Sequence, residues 1–385
     1  MKPSVAEEGV EPNQSDDTIE YAKLDRRSRR IGELPPWLWS LLALVALVLA
    51  VRGIEQYQFV QDPSNRPVFL TLDNLRNILW NQSTVGVIAV GMTFVIIAGG
   101  IDLSVGSLLA ALGVFALWTT NRTLGDDPAT AAGATAVFAV LLGYGAALVG
   151  GAAAGLINGV LIAKFRVAAF VVTLGGLAAY RSVAVTLGKS SEVRYAGPQP
   201  DSYRNPDAYE WLAQSGIDIP FTNLARPGVD PVPVVLYYPI LIFIAAVILG
   251  AIVLGRTRFG RHTIAVGANE RAARYSALAV DRIKMGVFVL LGAMTGLAAI
   301  MNTSRSGTIS SGSAGTLVEL DAIAAVVVGG TRLSGGRGTV LGTFFGVLIL
   351  GVIGNMLTLL GVQSTLQGLV KGGVIVLAVL LQRRA

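Results

Sequence analysis

The sequence predicts an all-α polytopic membrane protein with about ten transmembrane helices, some of them broken. Composition is the first observation: 53% of the 385 residues are hydrophobic and 14% are charged, whereas soluble domains carry roughly 25% charged residues. The second is a series of apolar runs separated by short polar loops. The third is the position of lysine and arginine, which concentrate in alternate loops, as they do in the cytoplasmic loops of membrane proteins.

Residues 1–36 are polar and predict a disordered cytoplasmic tail, and residues 37–385 predict one transmembrane domain. The fourth apolar run is long for one helix, so we expect it to be tilted or broken. The eighth is short for a bilayer, which predicts a bent or half-crossing element. The ten predicted spans are 37–54, 78–98, 103–119, 131–164, 167–187, 235–254, 285–301, 317–330, 339–361 and 366–381.

Two long loops set the predicted orientation. Residues 255–284 carry seven cations between two apolar runs, so we expect this loop and both chain termini on the cytoplasmic side of a bacterial inner membrane. Residues 189–233, rich in Tyr, Pro and Asp, then form a periplasmic insert. Residues 269–280 contain good helix formers without Gly or Pro, which predicts a short helix lying across the inner membrane face.

Composition also excludes several kinds of chemistry. The chain has no cysteine and a single histidine, His262, which excludes disulfides and leaves no support for a catalytic residue or a metal site. Gly188, Lys189 and Ser190 resemble the end of a phosphate loop, but Val183 stands where that motif needs glycine. We therefore expect no cofactor here and any ATP–Mg on a separate subunit. Orientation in the membrane explains the net charge of +6 better than binding to nucleic acid does.

A weak internal repeat marks two candidate gate residues. The sequence GGIDLSVG at 99–106 resembles GGTRLSGG at 329–336, with Asp102 and Arg332 at the same place. A carboxylate at membrane depth is costly and is usually functional. Asp102 or Ser104 can also cap the third span by accepting from free backbone amides. Both interpretations stay open, and a further hypothesis is that Asp102 pairs with Arg332 at an inner gate.

Other polar residues in or beside apolar runs have a functional and a structural interpretation. Glu319 and Asp321 can line the path of a solute or only flank the eighth span. Asn158 and Thr173 can bind a hydroxylated solute or join helices. Arg181, near the end of an apolar run, is expected to extend its side chain to the lipid headgroups.

Five motifs together resemble those of a known family. They are GGIDLSVGS at 99–107, INGVLIAKFR at 157–166, TLG at 173–175, RTRFGR at 256–261 and LDAIAAVVVGGTRLSGGRG at 320–338. The chain from about residue 75 to 382 is similar to the membrane permeases of bacterial ATP-binding-cassette (ABC) sugar importers of the ribose/xylose/galactose group. The last motif is long and the most specific of the five.

The resemblance implies a transport subunit rather than an enzyme. It implies a pathway for a monosaccharide, pentose or hexose, delivered by a periplasmic sugar-binding protein. A cytoplasmic ABC ATPase and a second permease copy or paralogue would be partners, in contact with membrane lipid. An ion-coupled secondary transporter of a small polar solute is the alternative, with Asp102 as its one candidate for a buried acid.

The resemblance also assigns the basic loop to coupling with the ATPase. Arg271 stands where the family has an acidic residue, and Ala277 replaces its usual glycine, so the helix is expected to continue for about a further turn. The coupling residues are Gly267, Asn269, Glu270, Arg271, Ala272, Ala273, Arg274 and Ser276.

Overall fold

The computed structural model describes residues 35–62, 67–125, 128, 133–198, 207–219, 234–363, 366–370, 372–373 and 376. The predicted tail therefore lies outside the described residues except for its last two positions. The helices and strands described below belong to the compact unit formed by Pro36–Ala385.

Helices dominate the described part of the chain, and a few three-residue strands lie between them. Before the predicted insert come α1 (Pro36–Gln61), α2 (Leu72–Ile97), α3 (Val105–Leu124), α4 (Ala134–Ala163) and α5 (Ala169–Leu187). The insert contributes β1 (Glu192–Arg194), α6 (Trp211–Gln214) and β2 (Gly216–Asp218). The rest comprises β3 (Val235–Tyr237), α7 (Tyr238–Arg256), α8 (Arg258–Ala268), α9 (Glu270–Tyr275), α10 (Val280–Thr303), β4 (Thr308–Ser310), α11 (Val318–Val328) and α12 (Val340–Leu359).

Within the described residues, seven helices are long and apolar enough to cross a membrane: α1, α2, α4, α5, α7, α10 and α12. The prediction of about ten spans is thus met for seven. The third span is the helix α3, but its last two turns contain the polar sequence Thr-Thr-Asn-Arg. The eighth span is α11, whose 11 residues reach only about 16 Å. Most of the tenth lies outside the described residues, and the side on which each chain end lies stays a prediction.

The fourth span is a single unbroken helix rather than a broken one. The 30 residues of α4 give a length of about 45 Å. Gly151 and Gly155 lie one turn apart on the face that meets α10. A side chain at either would overlap the backbone carbonyls of Gly292 or Phe288 on α10. Small residues on both helices therefore allow close backbone packing, and this is the most extensive contact between two described helices.

The described parts of the insert are tied to the membrane helices by strand pairs and aromatic contacts. Strand β1 pairs antiparallel with β4, and β2 pairs antiparallel with β3. The Tyr209 ring of the insert packs edge-on against Tyr144 on α4 at 5.4 Å, and Trp211 packs against Tyr238 at the start of α7 at 5.0 Å. Residues 199–206 and 220–233 lie outside the described part of the chain.

The basic loop folds differently from the prediction. It forms two helices, α8 and α9, and α9 has only six residues. Asn269 caps α9 because its side-chain oxygen accepts from the amide of Ala272 at 3.0 Å. The helix does not extend past Ala277 as expected: Ala277 adopts φ +58°, the left-handed conformation that glycine usually supplies. Alanine thus stands in the turn where glycine would, at a cost in backbone strain.

Candidate functional site

A buried polar cluster lies where α3 begins. Asp102 is 3% exposed, and Ser104 is fully buried. The carboxylate of Asp102 accepts hydrogen bonds from the amide of Ser104 at 2.7 Å and from its hydroxyl at 2.6 Å. The carboxylate therefore closes the turn that leads into α3, whereas the Ser104 side chain, at the N-cap, makes no capping hydrogen bond to the first turn of the helix.

The cluster continues across two neighbouring helices. The Asn158 amide on α4 donates to the Ser104 hydroxyl at 3.2 Å, and the Tyr180 hydroxyl on α5 donates to the Asn158 carbonyl at 3.2 Å. A side chain at Gly176 would lie 3.1 Å from the Cβ of Ser104, so this glycine lets α5 approach closely. The cluster of Asp102, Ser104, Asn158 and Tyr180 thus joins three elements; it is called the α3-start cluster below.

Thr173 supports the same contact, and Tyr180 is a member that was not predicted from the sequence. The Thr173 hydroxyl donates to the Ala169 carbonyl at 2.9 Å and lies 3.4 Å from the Ile101 carbonyl. Tyr180 follows Thr173 by seven residues and Gly176 by four, so all three lie on one face of α5. The spacing of Tyr180 from the candidate residue Thr173 was the sequence feature that could have identified Tyr180.

Acidic and basic groups lie on the other side of the α3 start. A side chain at Gly106, in the first turn of α3, would overlap the carboxylate of Glu319 on α11. Glu319 and Asp321 are both partly buried in the first turn of α11. The Arg181 guanidinium donates to the carbonyls of Ser311 and Gly312 at 3.3 and 3.1 Å, and its expected extension to the lipid headgroups stays a prediction.

The hypothesised pair of Asp102 and Arg332 does not form. Arg332 is exposed whereas Asp102 is buried, and among the described residues no ion pair joins them. The reason is local. Asp102 is turned toward Ser104. Arg332 lies in a separate turn, in which its amide donates to the Arg337 carbonyl and the Gly335 amide donates to the Arg332 carbonyl.

The predicted coupling segment is held by an ion-pair network. Glu270 pairs with Arg274 at 2.9 Å and with Lys284 at 2.7 Å, and Arg274 also pairs with Asp281 at 2.7 Å. Lys284 and Asp281 lie in the first turns of α10 and were not among the predicted site residues. Partial burial acts to raise the pKa of Glu270, but the hydrogen bonds from Lys284 and Arg274 outweigh it, so its pKa is lowered.

Of the other predicted coupling residues, some are packed against neighbouring helices and some are exposed to solvent. Ala273 is buried in a small apolar cluster whose other members are Val266, Val280 and Ile283. Arg271 and Ala272 are exposed on α9, and Ser276 ends the helix through its amide, which donates to the Ala272 carbonyl. Gly267 lies inward, in contact with the end of α2.

A cavity of about 770 Å³ opens beside α9. Its apolar lining includes Ile162 and Phe288, and its charged lining is mostly basic. The charged groups that line it are Arg166, Glu270, Arg271, Arg274 and Lys284.

The described residues thus form a helical bundle with seven candidate spans and a buried polar cluster, the architecture of a multi-pass membrane protein. Residues 74–379 match the family described as branched-chain amino acid transport system / permease component. That match covers well over half of the chain, and the chain belongs to this family. It is a transport subunit of the inner membrane rather than an enzyme.

Curated relatives extend along most of the chain. It is 38% identical over 348 residues to the ribose import permease protein of Escherichia coli strain K12, covering 90% of this chain and 95% of that protein. It is 39% identical over 318 residues to the ribose import permease of Bacillus subtilis strain 168, covering 83% and 87%. It is 36% identical over 327 residues to the L-arabinose ABC transporter permease of Azospirillum brasilense, covering 83% and 84%. No solved structure matches the chain.

Proposed function

We propose that this chain forms the membrane pathway of an ATP-driven importer of a monosaccharide, with pentoses as the first candidates. The observation that carries the proposal is 36–39% identity to ribose and arabinose permeases over more than four fifths of the chain. The family description names branched-chain amino acids. The sugar permeases are the stronger guide to the substrate, because they are individual proteins that align with this chain over most of their length.

The α3-start cluster is consistent with passage of a hydroxylated solute. Asn158 and Tyr180 are neutral hydrogen-bonding groups, and the Glu319 carboxylate lies close to Gly106 in the first turn of α3. The helix α3 begins at a buried turn, and transporters commonly place solute sites at helix starts within the bundle. Joining helices is the other role of these residues, and the two roles are compatible.

We assign coupling to the segment around α9. In this proposal a cytoplasmic ABC ATPase carrying ATP–Mg docks on the exposed residues of α9, and a periplasmic sugar-binding protein delivers the solute. A second permease copy or a paralogue completes the pathway. The ion pairs from α9 to Asp281 and Lys284 support this, since they join the docking helix to the long helix α10.

The test is uptake by right-side-out membrane vesicles that contain the chain with its neighbouring ATPase and binding protein, and that are loaded with ATP. We expect uptake of labelled ribose or arabinose that requires ATP and survives an uncoupler of the proton gradient. Uptake of labelled leucine and not of sugar would overturn the substrate class. Sugar uptake that persists without the ATPase and collapses with the uncoupler would instead support the ion-coupled alternative.

A further inference from the structure

Three backbone segments from distant parts of the chain meet at one point. They are the end of α2 at Ile97, the end of α8 at Gly267 and Ala268, and the turn after α11 at Gly335 and Gly336. The amide of Gly336 donates to the carbonyl of Ile97 at 2.9 Å. This meeting point is called the glycine junction below.

Glycine is required at the junction because no side chain fits there. A Cβ at Gly267 would overlap the carbonyl oxygen of Ile97 and lie 2.7 Å from the amide nitrogen of Gly336. A Cβ at Gly336 would lie 2.6 Å from the Cα of Ala268. Gly336 also has φ +74°. The atoms on the opposite side are backbone in each case, so they cannot rotate away as a side chain can.

The junction lies between the proposed coupling segment and the α3-start cluster. Gly267 is two residues before Asn269, the residue that caps α9. On the other side, Ile97 is followed within five residues by Asp102, whose carboxylate is part of the cluster. Direct backbone contact is stiff, because packed interiors do not deform continuously. A displacement of α8 and α9 is therefore passed to the chain that leads into α3.

We propose that Gly267 and Gly336 are positioning residues for transport: they keep the coupling segment in backbone contact with the ends of α2 and α11, so that movement of α9 shifts the start of α3. This inference rests on the proposed docking of an ATPase at α9. It identifies which part of the pathway the ATPase moves, and by which contact.

The test compares Gly336→Ala and Gly267→Ala with Gly255→Ala and Gly354→Ala, two positions where an added Cβ meets nothing within 4 Å. The complete transporter, with ATPase and binding protein, is reconstituted in liposomes. The readout is the number of pentose molecules imported per ATP hydrolysed, using ribose or arabinose, whichever the unaltered chain imports. We expect this ratio to fall about tenfold in the junction variants, within the usual range for coupling between sites, and to stay unchanged in the controls.

A junction variant that inserts, retains the ATPase and keeps the unaltered ratio would overturn the inference. Absence of pentose uptake by the unaltered chain would instead count against the proposed function, so the two failures are distinct. An equal fall of the import ratio in the control variants would also overturn the role of the junction, since it would show that transport is sensitive to any added methyl group.

A second measurement decides the case in which the junction variants do not accumulate. The chain has no cysteine, so spin labels can be placed at Ala265→Cys on α8 and Leu333→Cys in the turn after α11, both exposed. We expect the distance between the two labels to stay within about 2 Å between the nucleotide-free and ATP-bound transporter, because the junction moves as one body. A change of about 5 Å, the size of one helical turn, would show that the segments slide and would overturn the inference.

Discussion

The α3-start cluster and the coupling segment around α9 hold their polar groups in opposite ways. In the cluster, hydrogen bonds are buried or partly buried and link the start of α3 with α4 and α5. Around α9, the charged side chains that pair are between 21% and 42% exposed. Buried polar groups cost free energy when a partner is lost, whereas exposed ion pairs are screened by water and salt. The cluster is therefore the less tolerant of the two regions.

The largest effect is expected for Asp102→Ala. The substitution leaves the amide and hydroxyl of Ser104 without their acceptor in a buried site, at a cost of about 1–3 kcal/mol per unsatisfied group. We expect a clear fall in the melting temperature of the detergent-solubilised protein. Asp102→Asn keeps an acceptor oxygen and serves as the control, with a smaller fall. Equal melting temperatures for both variants and the unaltered chain would show that the hydrogen bonds of Asp102 do not stabilise the helices.

An intermediate effect of the opposite sign is expected for Ala277→Gly. Relief of the left-handed conformation is worth about 1 kcal/mol, because only residues with a Cβ are penalised there. We expect a higher melting temperature or slower proteolysis at the loop after α9. Ala272→Gly, within the helix, is the matched control and should destabilise by about 0.5–1 kcal/mol. A destabilised Ala277→Gly variant would contradict the strain argument.

The smallest effect is expected for Glu270→Gln, which removes two exposed ion pairs worth about 0.2–1 kcal/mol each. The pKa of Glu270 is lowered from its ordinary value of 4.5. Its contribution is therefore complete above that value and is lost as the pH falls through the lower folded-state pKa. Melting curves at low and high salt, and at pH values on either side of that window, check this. A difference between variant and unaltered chain that persists in high salt and at low pH would exclude an ion-pair origin.

The same two regions differ in how much of them could be predicted from the sequence. Asp102 and Ser104 were selected from the repeated motif at the start of the third span, and Asn158 and Thr173 as polar residues in apolar runs; the structure places all four at one contact between helices. Tyr180 was missed because tyrosine is an ordinary residue of membrane helices, so its type alone carried no signal. Its role depends on Gly176, which lets α5 approach.

Around α9, the helix boundaries predicted from the local sequence were less reliable. Because position 277 is alanine rather than glycine, the sequence suggested a longer helix. The chain nevertheless turns at Ala277, which adopts the left-handed conformation. Packing explains the difference: Ala273, Val280 and Ile283 bury one apolar cluster, and the chain must turn between α9 and α10 to bring them together. The ion pairs to Asp281 and Lys284 depend on the same turn.

The sequence by itself determined the membrane class, the apolar helices, the basic loop and the permease family, because hydropathy, charge placement and motifs are local properties of the chain. Only the tertiary structure decided which polar groups meet, that Asp102 faces Ser104 rather than Arg332, and that Gly267 and Gly336 close on Ile97. Apart from the local turn of Asp102 onto Ser104, those contacts join residues far apart in the chain, and they depend on the relative placement of helices, which no local pattern specifies.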